Sequence, residues 1–313
     1  MTTTRRTGLL LALATAGISG VAIFLNGYGV RAYGDASSYT TAKNLVSALV
    51  LGMLVLGLMA GGGGAGRLTV PHGRRQWVAL GAIGVIGGSV PFLLFFEGLS
   101  RASSAQSAFL HKTLVVWVAL LAVPLLRERF TWVHAVAVVL LLAGQIGLVG
   151  GVGSAVGSGE LMILGATLLW SVEVVVAKRL LADVSSWTVG VARLGVGSVV
   201  LLLWAALRGQ LAAVVPVGAA QWGWVLLTGV LLAGYVATWF AALARAQAID
   251  VTAVLVLAAL VTAALSAVVD GVPPVSQAIW LTMLAAGGSL LSWQVWRARP
   301  AAGGPSLVAG LPA

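Results

Sequence analysis

Cysteine is absent from the chain, which excludes disulfides, thiolate nucleophiles and cysteine-based metal centres. Charge is scarce as well: charged residues are 8% of the 313, and only eight are acidic. An ordinary soluble domain carries about three times that share. His72, His111 and His134 show no metal-ligand spacing, so no metal is expected. There is no phosphate-binding glycine loop or other nucleotide motif, so the chain does not hydrolyse ATP itself and implies no cofactor. The apolar segments also lack the paired carboxylates, metal ligands or activated nucleophile of an intramembrane enzyme, and no catalytic residues are expected.

Hydrophobic residues, by contrast, make up 60% of the sequence, and mean hydropathy is +1.04. A bilayer span needs about 20 apolar residues. The sequence divides into ten such stretches, near 8–30, 38–60, 76–99, 103–125, 132–150, 159–180, 186–207, 221–244, 250–269 and 276–296. The expected fold is therefore all-α and integral to the membrane, with ten transmembrane helices and no room for a soluble catalytic domain. The first stretch follows Arg5-Arg6 but is too long for a signal-peptide core, so it reads as a retained helix.

The formal charge of +10 does not gather on one face, which argues against a nucleic-acid partner. With the N-terminus cytoplasmic, the inner loops and tails hold Arg5, Arg6, Arg67, Arg74, Arg75, Arg127, Arg129, Lys178, Arg179, Arg245, Arg297 and Arg299; the outer loops hold Arg31, Arg101 and Arg208. That bias is the positive-inside rule, and it predicts a multi-pass protein of the cell membrane with both termini cytoplasmic.

The second half repeats the pattern of the first at an offset near 150 residues. Ser38–Leu45, with Lys43, matches Trp187–Leu194, with Arg193; Leu99-Ser100-Arg101-Ala102 matches Leu243-Ala244-Arg245-Ala246. The expected units are 1–150 and 160–299, joined by a linker at 151–159 and followed by a disordered tail at 300–313. Five spans is an odd number, so the second unit enters the membrane inverted, an architecture that places a substrate path between two rocking halves. Within the spans, Gly81, Gly84, Gly287 and Gly288 suit close helix packing, and Gly87-Gly88 beside Pro91 suits a hinge.

Several short motifs are similar to those of EamA domains in the drug/metabolite transporter superfamily. They are Trp170-Ser171, Arg193 early in a second helix, Leu126-Arg127-Glu128-Arg129-Phe130 between the fourth and fifth helices, and Ala143-Gly144 late in the fifth. The resemblance spans residues 8–297. Lys43 stands where arginine is usual, Asp270 stands where a second glutamate turn is expected, and the fourth and ninth spans lack an early proline. The resemblance implies a secondary transporter working by alternating access, with export the commoner direction.

Charges inside spans are costly and need a partner or a watered cavity. They are Lys43, Glu97, Lys112, Glu173 and Arg193, with His111 beside Lys112. Glu173 and Arg193 fall at similar depth on consecutive helices, where a salt bridge could either pin the helices or form a gate. Lys112 could face the cavity, pair with Glu97 or snorkel outward. Three cations against two acids favour amino acids or organic anions as substrates; the candidate binding residues are these six with the aromatics Trp117, Trp170 and Tyr235. A cationic-drug exporter and a non-transporting binding or sensor protein are the alternatives. The expected partners are a small-molecule substrate and the lipid bilayer. Proton coupling and uncoupled facilitation both fit, as do a monomer and a homodimer.

Overall fold

The computed structural model describes residues 2–62, 66–99, 101–102, 104–148, 157–269, 271 and 277–297. Asp270, Arg299, most of the expected linker and the expected tail lie outside the described residues. The described regular structure is helical throughout. Its elements are α1 (Thr2–Tyr33), α2 (Ala36–Ala60), α3 (Gly73–Ile86), α4 (Val90–Leu99), α5 (Ser104–Lys112), α6 (Leu114–Leu126) and α7 (Trp132–Leu148) in the first half. The second half holds α8 (Ser158–Leu180), α9 (Ser186–Leu207), α10 (Leu211–Val214), α11 (Gly218–Arg245), α12 (Ala248–Leu255), α13 (Ala258–Val269) and α14 (Ala278–Arg297).

Eight helical stretches are long and apolar enough to cross a membrane, three of them assembled from the pairs α3–α4, α5–α6 and α12–α13. The 17-residue apolar α7 and the 20-residue α14 complete ten antiparallel segments. Most of the outward surface is apolar, with Leu49, Val139 and Leu203 each more than half exposed, as a lipid-facing wall requires. Several buried hydroxyls are bonded to carbonyls of their own helix, as Thr167 to Ile163 and Ser171 to Thr167, so they cost little inside the bilayer.

The contacts follow the expected inversion. Segment one packs on segment eight (α1 on α11) and segment three on segment six (α4 on α8); two packs on seven (α2 on α9) and five on ten (α7 on α14). Helix starts repeat too: Asp35 caps α2 by accepting the Ser38 N–H, and Ser185 caps α9 by accepting the Thr188 N–H.

Segments four and nine are both broken near their middle, at Thr113 and at Val256-Leu257, without a proline at either break. At the first, the Thr113 hydroxyl bonds back to the Leu110 carbonyl at 2.6 Å. Nothing in the structure explains the second. Segment three breaks at Gly87–Ser89, whereas its equivalent α11 runs 28 residues unbroken. The sequence-based spans fall within a few residues of these helices, but their continuity through segments three, four and nine is corrected.

The broken segments define the two ends of the bundle. At the end carrying the start of α1, called here the N-terminal end, α6 packs on α12; at the opposite end, α5 and α13 do not pack closely together.

Candidate functional site

Pro91 has no N–H, so the carbonyl four residues earlier, that of Gly87, is left without its helical donor. Two side chains from the second repeat use it. Trp170 Nε1 of α8 and Arg193 Nη2 of α9 each donate to Gly87 O at 3.0 Å. A Cβ at position 87 would overlap the Glu173 carboxylate, so any larger residue would have to displace it. The hinge candidate of the sequence is therefore a junction: a broken first-repeat segment plugged into α8 and α9.

Glu173 and Arg193 form the expected pair, with Arg193 Nε donating to Glu173 Oε1 at 2.6 Å. Both are buried, at 3% and 5% exposure, so removing either partner strands the other in an apolar interior. Among the described residues, the buried Arg193 Nη1 has no partner, and neither does the buried His111 Nδ1.

Aromatic rings gather around the junction. Trp170 contacts His111 at 4.9 Å, Phe92 at 5.4 Å and Phe95 at 5.8 Å between centroids, and the Arg193 guanidinium lies 5.8 Å from the Phe92 ring centre. Tyr235 stacks on Trp239 within electrostatic reach of Arg193 and Glu173. The structure thus brings together five of the sequence-selected residues: Glu173, Arg193, Trp170, His111 and Tyr235.

The other four stand apart from that cluster. Lys112 ends α5 half-buried and forms no ion pair among the described residues. Glu97 and Arg101, exposed at the opposite end, pair one helical turn apart. Trp117 turns its Nε1 to the Thr113 hydroxyl at 3.1 Å, at the break between α5 and α6. Lys43 is buried at 4% exposure; its Nζ reaches Asn26 Oδ1 at 3.3 Å and lies 5.3 Å from the Tyr39 ring centre. Tyr39 in turn donates to Asn26 at 2.9 Å or to Thr228 at 2.8 Å. Asn26 carries no charge and so gave no sequence signal.

A second polar cluster closes the N-terminal end. Glu128 accepts the backbone N–H groups of Ala248 and Ile249 at 2.7 and 3.1 Å, capping α12 from the other repeat. Burial pushes its carboxyl above the ordinary carboxylate range, against the two N–H bonds that favour the ionised form. Lys178 caps the end of α11 through the Leu243 and Ala246 carbonyls. Asp250 meets Arg5 and His134 there; an acid two residues inside an apolar segment was the signal that could have found it. An apolar groove of about 330 Å³ between Leu120, Phe130 and Val138 borders this cluster, because Phe130 stacks on His134 at 5.7 Å.

No curated protein matches the chain. A crystal structure of a protein superposes with a TM-score of 0.73 over 92% of this chain and 98% of that one, at 18% identity, a likeness of fold alone. The model of the EamA-like transporter family matches residues 6–150 and again 157–294. With an all-helical inverted fold and two matches that cover nearly its whole length, the chain belongs to the EamA-like transporter family.

Proposed function

We propose that the protein is a secondary carrier of small, anion-biased metabolites such as amino acids or organic acids. It sits in the cell membrane with both termini cytoplasmic, moves solute by alternating access and works chiefly as an exporter. One observation carries the substrate class. Arg193 is neutralised by Glu173 and Glu97 is engaged by Arg101, which leaves Lys43 and Lys112 as intramembrane cations with no ion pair among the described residues. The unsatisfied donor on Arg193 and the rings around Trp170 suit a solute with a carboxylate and an apolar body.

The packing of α6 on α12, without a matching contact of α5 on α13, supports a conformer open at the end opposite the N-terminus. A single chain holds the whole path, so a monomer suffices. Counterflow of labelled solute in proteoliposomes, after a thermal-shift screen of carboxylates, sugar phosphates and cationic drugs, tests the reading. Carboxylate stabilisation that disappears in Lys112→Ala, together with counterflow, is expected; stabilisation by cations alone overturns the substrate class, and loss of counterflow for every stabilising solute overturns the carrier.

A further inference from the structure

Helices α6 and α7 are consecutive and antiparallel, yet they scarcely pack on each other: α6 lies on α8 and α12, and α7 on α14. The splayed hairpin leaves an open apolar groove of about 330 Å³, lined by Val116, Leu120, Val123 and Pro124 of α6, Phe130 of the turn and Val138 of α7. The α6 residues recur at helical spacing, so the groove follows that helix for about 12 Å from Val116 to Pro124. Leu120 is 59% exposed and Phe130 45%, so the groove opens to the bilayer and not to the core. Phe130 closes its end at the turn, where the ring stacks on His134.

That turn carries positive charge with nothing to balance it. Arg127 lies three residues past Pro124 and Arg129 one before Phe130, and both are exposed. Neither guanidinium forms a hydrogen bond or an ion pair among the described residues. The acid between them, Glu128, is spent elsewhere, since its two oxygens accept the Ala248 and Ile249 N–H groups of α12. Arg179 of α8 brings a third guanidinium to the same end of the hairpin, where it donates to the Leu125 carbonyl at 2.6 Å. Trp132, 73% exposed at the start of α7, marks the level of the lipid headgroups. By contrast, the equivalent turn of the second repeat, between Val269 and Ala278, contains no arginine or lysine.

We propose that the α6–α7 hairpin is a seat for one anionic phospholipid of the leaflet at the N-terminal end. An acyl chain lies along the groove, and the phosphate diester meets the Arg127 and Arg129 guanidinia, whose planar forks match phosphate oxygens. An apolar slot ending at unpaired guanidinia favours a lipid over free phosphate, which has no chain to fill the slot. It also disfavours a second copy of this chain, because two such hairpins set face to face would bring like charges together. The inference does not rest on the carrier reading.

Native mass spectrometry of the purified chain, titrated in detergent with phosphatidylglycerol or phosphatidylcholine of the same acyl chains, tests the seat. One phosphatidylglycerol should bind with about tenfold preference, as expected of one to two cations at a lipid headgroup. Arg127→Asn combined with Arg129→Gln should bring the two lipids level. Asparagine tolerates the left-handed backbone of Arg127, at φ 55°, and neither guanidinium holds another group, so the fold should stand. Val123→Trp fills the groove from an exposed position and should weaken both lipids several-fold. Arg74→Gln combined with Arg75→Gln is the control: these arginines are also exposed at the N-terminal end, near the exposed Trp77, but they sit on α3 away from the groove, and the preference should survive. Equal affinity for the two lipids in the parent, or a preference that persists without Arg127 and Arg129, overturns the proposal. Full competition by free glycerol phosphate does so too, by placing a headgroup without a chain on the arginines. A dimer that Val123→Trp splits while lipid binding is unchanged puts a second copy in the groove and likewise overturns it.

Discussion

Glu173–Arg193 and Asn26–Lys43 are the same place in the two repeats. Arg193 lies seven residues past the start of α9 and Lys43 seven past the start of α2; Glu173 lies seven before the end of α8 and Asn26 seven before the end of α1. Inversion puts the first pair toward the N-terminal end and the second toward the opposite end. The chemistry differs at both residues, a carboxylate against an amide and a guanidinium against an ammonium. Where the second repeat answers its buried cation with a carboxylate and the Gly87 carbonyl, the first offers an amide oxygen at 3.3 Å and two ring faces. A charge-assisted pair is strong and directional, and an amide contact is weaker and easily exchanged. The inverted fold therefore carries a firm contact toward one end and a more easily exchanged one toward the other.

Breaking the firm member should have the largest effect. Glu173→Gln is expected to insert normally but to lose solute counterflow, with about 3 kcal/mol of stability lost because Arg193 is left buried without its counter-charge. Full counterflow in that variant would make the pair a simple helix pin. Next comes making the weak member firm. Asn26→Asp supplies the missing acid to Lys43; it should raise thermal stability by about 1–2 kcal/mol, the worth of a charged hydrogen bond, and slow counterflow as the opposite end tightens. Unchanged rates would show that the asymmetry has no part in transport.

The junction between the repeats gives two finer tests. Pro91→Ala restores the helical N–H that competes for the Gly87 carbonyl, so the break in segment three should partly heal and counterflow should fall a few-fold. Hydrogen exchange across residues 84–93 reports the healing directly. Trp170→Phe keeps the ring but removes one donor to Gly87, and a cost of about 1 kcal/mol in thermal stability is expected, with the aromatic contacts retained. A cost several times larger would mean that the tryptophan, more than Arg193, holds the junction.

Much of this comparison was legible in the sequence. Lys43 and Arg193 stood at matched positions, and Glu173 at the depth of Arg193, because helical rise converts residue count into depth along a span. His111 and Trp170 were visible as polar and aromatic residues in apolar runs, though not as neighbours. Asn26 was silent, since an uncharged amide in a span leaves no mark on hydropathy. Asp250 was present as a rare acid, but its partners sit 245 and 116 residues away in Arg5 and His134, beyond the reach of any local pattern. Glu128 is similar: the turn around it was visible, but its role in capping a helix of the other repeat was not.

The sequence alone determined the membrane as solvent, ten crossings and the inverted duplication, because lipid demands about 20 apolar residues per crossing and an odd number of crossings reverses the second copy. Only the tertiary structure decided which equivalent positions were paired and which left open, where the segments break, and that Arg5, His134 and Asp250, drawn from opposite repeats, meet in one buried cluster. Those features depend on distances between side chains far apart in the chain, and such distances are set by how helices of opposite direction pack, which composition and periodicity along one strand of sequence do not encode.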